Sequence, residues 1–71
     1  MTYLERLPVE ETKLYGRIVE LGRDAVTVAG VGRTLRCTVA AELVEKLRRF
    51  AVGDSVKMIC RGTALIYLEQ A

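Results

Sequence analysis

Apolar residues in this chain keep a two-residue period on both sides of one stretch, AAELVEKLRRF, where the period changes to that of a helix. A strand points successive side chains to opposite faces, whereas a helix returns to one face every three to four residues. In Arg33–Val39, Leu35, Cys37 and Val39 share one phase and Thr34, Arg36 and Thr38 the other. In Ser55–Arg61, Val56, Met58 and Cys60 alternate with Lys57, Ile59 and Arg61. Between these segments Leu43, Val44, Leu47 and Phe50 stand at i, i+1, i+4 and i+7, a helical stripe. Glu42–Lys46 and Glu45–Arg49 add i,i+4 pairs in the favourable order. The pattern predicts a helix over about Ala40–Phe50, its apolar stripe plugging one end of a closed sheet.

The other segments read as strands divided by turn residues. The first covers about Lys13–Leu21, with Leu14, Gly16 and Ile18 in one phase and Val19 and Leu21 in the other. A phase slip near a glycine predicts a bulge or sharp bend, which lets one long strand serve both halves of a closed sheet. Gly22-Arg23-Asp24 turns the chain into a second strand, Ala25–Ala29, and Gly30-Val31-Gly32 makes a hairpin to the third. Gly53-Asp54 precedes the fourth strand, and Gly62-Thr63 leads to a fifth, about Ala64–Glu69, where Ile66 and Leu68 oppose Leu65 and Tyr67. Residues 1–12 read as an arm: Tyr3, Leu4 and Leu7 can form one apolar turn, which Pro8 stops.

Three strands, a helix and two strands is the chain order of the OB-fold. The expected fold is therefore mainly β, a five-stranded OB-like barrel over residues 13–71 with one helix between strands 3 and 4. Gly16-Arg17-Ile18-Val19 in the first strand and Gly53-Asp54-Ser55-Val56 before the fourth resemble translation initiation factor one and other S1-type domains. A helix leading into that Gly-Asp-x-Val strand, then Arg61-Gly62-Thr63-Ala64-Leu65, is similar to the Mop/TOBE domains that bind molybdate. The first resemblance implies nucleic-acid binding, the second an oxyanion held by backbone amides and a basic side chain at a subunit interface. The shared positions are turns and core, so they point to a fold and to no specific family.

Seventy-one residues suffice for one domain. A chain this short buries only about 60% of its unfolded surface, so its stability is marginal without a staple or a partner. No apolar run approaches the roughly 20 residues of a membrane helix, and the first residues lack the apolar core of a secretory signal. The expected location is cytoplasmic, away from membranes. The formal charge is +2, of which residues 1–11 carry −2 (Glu5, Glu10 and Glu11 against Arg6) and the remainder +4. Such a mildly basic body suits a polyanion through counterion release, or simply an ordinary solvated surface.

The chain lacks the equipment of an enzyme. It has no histidine, so His-based dyads, triads and metal clusters are excluded. Ser55, its only serine, sits at a turn without a neighbouring base, and the acids are scattered. Gly30-Val31-Gly32 joins two strands and opens no helix, so it is not a dinucleotide fingerprint. Cys37 and Cys60 fit no metal motif and fall on the inward phases of their strands. In a cytoplasmic setting they read as two small buried hydrophobes; the other reading is a bridge across the barrel. No catalytic residue, metal or cofactor is expected.

The expected function is a non-enzymatic binding module for single-stranded nucleic acid, largely indifferent to sequence. OB-folds bind oligonucleotides over strands two and three, which here offer Arg23, Arg33 and Arg36 beside Thr34 and Thr38. Lys57 and Arg61 extend that surface if the register brings them alongside, and Tyr15 and Tyr67 are the candidates for stacking bases. One alternative is a protein partner or homo-oligomer docked on an apolar strip containing Ile59 and Leu65. The other is small-oxyanion binding near Arg61-Gly62-Thr63.

Overall fold

The computed structural model describes residues 11–71. It contains β1 (Glu11–Leu21), β2 (Ala25–Gly30), β3 (Arg33–Thr38), α1 (Ala41–Leu47), β4 (Ser55–Arg61) and β5 (Ala64–Gln70). The predicted arm lies outside the described residues except for Glu11 and Thr12, which open β1. The chain is mainly β, and its five strands close in a ring ordered β1-β2-β3-β5-β4. No helix among the described residues is long and apolar enough to cross a membrane.

The length of β1 makes the ring possible. Its first half pairs antiparallel with β4, from Glu11 opposite Arg61 to Arg17 opposite Ser55. Its second half pairs antiparallel with β2, from Gly16 opposite Gly30 to Leu21 opposite Val26. The exchange of partners falls at Gly16, where a Cβ would lie 2.2 Å from the Ala29 carbonyl oxygen. Only glycine tolerates so close an approach of two backbones. The bulge, however, is three residues further on: the β1–β2 register slips between Ile18 and Glu20, leaving Val19 unpaired. The extra residue explains why Leu14 and Ile18 face inward while Leu21 falls in the other sequence phase.

The β2–β3 hairpin runs from Ala25 opposite Thr38 to Gly30 opposite Arg33. The β4–β5 hairpin runs from Val56 opposite Gln70 to Arg61 opposite Ala64, and it slips at Ile59/Cys60. Ile59 faces Tyr67 and Cys60 faces Leu65, so Ile66 is the inserted residue. Leu65 and Leu68 are therefore both buried, and Ile66 is exposed. This corrects the strict alternation expected for the fifth strand and removes Leu65 from the apolar strip proposed with Ile59.

The core includes Leu14, Ile18, Val26, Val28, Val56, Met58, Leu65 and Leu68 from the strands, with Leu47 from the helix. Leu43, Val44 and Phe50 pack against it as the stripe predicted. The helix ends at Leu47, short of the expected Phe50, because the chain tightens: Arg49 N–H donates to Lys46 O and Phe50 N–H to Leu47 O. Glu45 accordingly pairs with Arg48 at 3.2 Å rather than with Arg49. The loop into β4 is fastened by Asp54, whose Oδ2 accepts from Ala51 N–H at 2.9 Å. Gly53 turns there with φ of 100° and donates to Ile18 O at 2.8 Å, tying the helix exit to the centre of β1.

Cys37 and Cys60 form a disulfide with a Cα–Cα distance of 6.7 Å. The preferred expectation of two separate buried hydrophobes is thus corrected in favour of the bridge. Their inward phases were legible, but the ring places β3 and β4 on either side of β5, so the two side chains meet across the interior.

Candidate functional site

The outward phase of β1, β4 and β5 forms one continuous surface. Its rungs are set by register: Tyr15 beside Lys57 beside Glu69, and Lys13 beside Ile59 beside Tyr67. A further rung at one end places Glu11 beside Arg61 beside Ala64, and Arg17 sits opposite Ser55 at the other. The β4–β5 bulge aims Tyr67 outward, since a strict alternation from buried Leu65 would turn it in.

On this face Lys57 Nζ stands 5.9 Å from the Tyr15 ring centroid and 5.7 Å from that of Tyr67. Lys46 reaches across from the helix to within 5.5 Å of the Tyr67 centroid. These are cation–π distances, and they hold two aromatic rings and two ammonium groups in one cluster. Tyr15 is 59% exposed, so its ring is open to a ligand. The Tyr67 hydroxyl donates to Glu69 Oε1. That hydrogen bond, with the nearby Glu69 charge, raises the Tyr67 pKa above its ordinary value, because ionising the phenol would place two anions together.

Between the helix exit and β5 the face continues into an open groove of about 450 Å³, lined by Lys46, Arg49, Phe50, Tyr67, Glu69 and Gln70. Lys13, Arg17, Lys46, Arg49 and Lys57 thus border one surface. Its acids are Glu69, engaged by Tyr67, and Glu11, which pairs with Arg61 at 2.7 Å. Among the described residues no three His, Cys, Asp or Glu side chains gather as a metal site would require.

The residues singled out in the sequence divide into two groups. Tyr15, Lys57, Tyr67 and Arg61 lie together on the β1–β4–β5 face. The three arginines expected to share the β2–β3 surface do not converge. Arg36 points outward opposite Thr27, whose hydroxyl donates to Glu20 at 3.4 Å. Arg33 lies in the inward phase of β3 opposite Gly30 and is exposed only because it sits at the hairpin rim. Arg23 is in the β1–β2 turn at the other end, beside Arg48, Val44 and Phe50. The intervening ladder separates Arg23 from Arg33 by on the order of 17 Å at a strand's rise per residue.

Four cations of the face were not singled out in the sequence. Lys13 and Arg17 share the strand phase of Tyr15, a signal present in the first strand. Lys46 and Arg49 carry no such signal, since only the docking of the helix brings them to β5. Comparison with known protein families, curated proteins and solved structures found no match to this chain.

Proposed function

We propose that this chain is a non-enzymatic OB-type binding module that holds single-stranded nucleic acid on its β1–β4–β5 face. The OB-type reading is supported by the ring order β1-β2-β3-β5-β4 and by a helix between β3 and β4 that packs against the core. The observation that carries the functional reading is the Tyr15–Lys57–Tyr67 cluster, with further cations on either side.

The chemistry follows from the side chains. Bases stack on the tyrosine rings, each stack worth about 1–3 kcal/mol, and the adjoining ammonium and guanidinium groups neutralise phosphates. Neither contact reads base edges, so binding tolerates sequence. The helix groove extends the track, with Lys46 and Arg49 beside Tyr67. Arg61 contributes less, because Glu11 already occupies its guanidinium.

Fluorescence anisotropy with a mixed-sequence oligonucleotide across a salt series tests this. Each lost phosphate contact on a single strand flattens the log–log salt slope by about 0.7. Lys57→Ala is expected to weaken binding and flatten the slope by that amount, while Arg36→Ala leaves both unchanged. Absence of binding at low salt, or an unaltered slope in Lys57→Ala, overturns the reading.

A further inference from the structure

We propose that the Cys37–Cys60 disulfide is a redox-controlled latch on the weakest seam of the ring. Four of the five strand junctions are antiparallel ladders of five or more paired residues. The fifth, between β3 and β5, is parallel and contains one pair, Thr38 with Ala64. At its edge Thr63 O accepts the Thr38 N–H at 2.8 Å and the Thr38 hydroxyl at 3.1 Å. A junction so thin is where local opening costs least.

The disulfide sits at that seam. Cys37 immediately precedes Thr38, and Cys60 faces Leu65, the neighbour of Ala64. The covalent bond therefore passes from β3 to β4 over the inner side of β5, bypassing the junction that hydrogen bonds hold poorly. Both side chains are buried, at 2% and 1% exposure, so a reductant reaches the sulfurs only when the seam has opened. With the bond intact, separation of β3 from β5 is limited by the length of the crosslink. Once it is cut, the β2–β3 hairpin can swing from β5 and expose two unpaired strand edges.

The step is a thiol–disulfide exchange with a dithiol reductant. One reductant thiolate attacks a protein sulfur, breaking the S–S bond and forming a mixed disulfide. The second reductant thiol then attacks the mixed bond. Two electrons and two protons pass to Cys37 and Cys60, which become thiols, and the reductant leaves as its own disulfide. Tyr15, Lys57 and Tyr67 lie on β1, β4 and β5, which the β1–β4 and β4–β5 ladders keep joined when β3 parts from β5, so the latch stands or falls independently of the nucleic-acid reading.

Residue-resolved amide hydrogen exchange on the oxidised protein and on the protein reduced with dithiothreitol tests the latch. Thiol titration before reduction is expected to find no free thiol even after unfolding. After reduction, the Thr38 amide is expected to exchange on the order of 100-fold faster, while amides of the β1–β4 ladder change less than about tenfold. The Cys37→Ala/Cys60→Ala variant is expected to reproduce the reduced pattern without reductant. Free thiols in the untreated protein, or equal Thr38 exchange in both states, overturn the proposal. A uniform loss of protection in both the reduced protein and the double variant also overturns it, since the bond would then hold the whole fold rather than one seam.

Discussion

Gly16→Ala tests the central claim about how the ring closes. The added Cβ would lie 2.2 Å from Ala29 O, 2.7 Å from Ala29 C and 2.9 Å from Gly30 Cα. All three are backbone atoms, so no rotamer change relieves the contact. Cβ contacts below 3.0 Å are essentially unknown, which requires β1 and β2 to part by at least about 0.8 Å at this pair. Such a shift costs one or two ladder hydrogen bonds and part of the packing beneath them, about 2–4 kcal/mol. Alanine returns only about 0.4–1 kcal/mol by restricting the unfolded chain. The clash wins, and the net loss is about 2–3 kcal/mol against a total stability of about 4–10 kcal/mol for a domain of this length. Urea unfolding followed by circular dichroism should show the midpoint falling by about 1–2 M at an unchanged m-value. Gly22→Ala is the control, because its Cβ would meet Ala25 O at 3.5 Å, an ordinary contact. Equal midpoints for the two variants would refute the argument that β1 changes partners at a position only glycine can fill.

The β5 bulge predicts unequal costs for adjacent residues: Leu65→Ala should lose about 2–4 kcal/mol in the same assay and Ile66→Ala less than about 1 kcal/mol. The reverse order would mean that the fifth strand alternates without an insertion. Tyr67 should titrate above its ordinary value, seen as late-appearing tyrosinate absorbance, and Glu69→Gln should bring its midpoint down. The fold favours the protonated phenol, so this contribution to stability is fully present below the unfolded tyrosine pKa of about 10. It is lost as pH rises through the raised value. A midpoint insensitive to Glu69→Gln would remove the carboxylate as the cause.

How much of this was legible in the sequence depends on whether a feature is local. The bounds of β4 were readable in full because Val56, Met58 and Cys60 alternate without interruption between two glycine turns. The helix was readable from Leu43, Val44, Leu47 and Phe50, although its last turn was not, since tightening at Arg49 and Phe50 leaves the apolar spacing unchanged. The slip in β1 was visible as the changed phase of Val19 and Leu21. The sequence does not say which residue is inserted, and the bulge falls at Val19, three residues past Gly16. Strand phase showed that Lys57 and Tyr15 point outward, yet not that they are neighbours. That depends on β1 pairing with β4, across more than forty residues of chain. The three arginines failed to converge for the complementary reason: proximity along a hairpin says little about which rim or face each side chain reaches.

The candidate site itself depends on the irregularity that alternation conceals. In a regular β5, burying Leu65 would also bury Tyr67 and expose Leu68, placing a phenol in the core and a leucine outside. Inserting Ile66 resolves both conflicts, since Leu65 and Leu68 turn inward and Tyr67 turns out toward Lys57 and Lys46. A bulge re-aims side chains at the expense of a locally broken ladder, and here the break falls beside Cys60, where the disulfide reinforces the ring. The outward turn of the aromatic face is thus a consequence of one inserted residue, and the Cys37–Cys60 crosslink lies close to where that insertion interrupts the ladder.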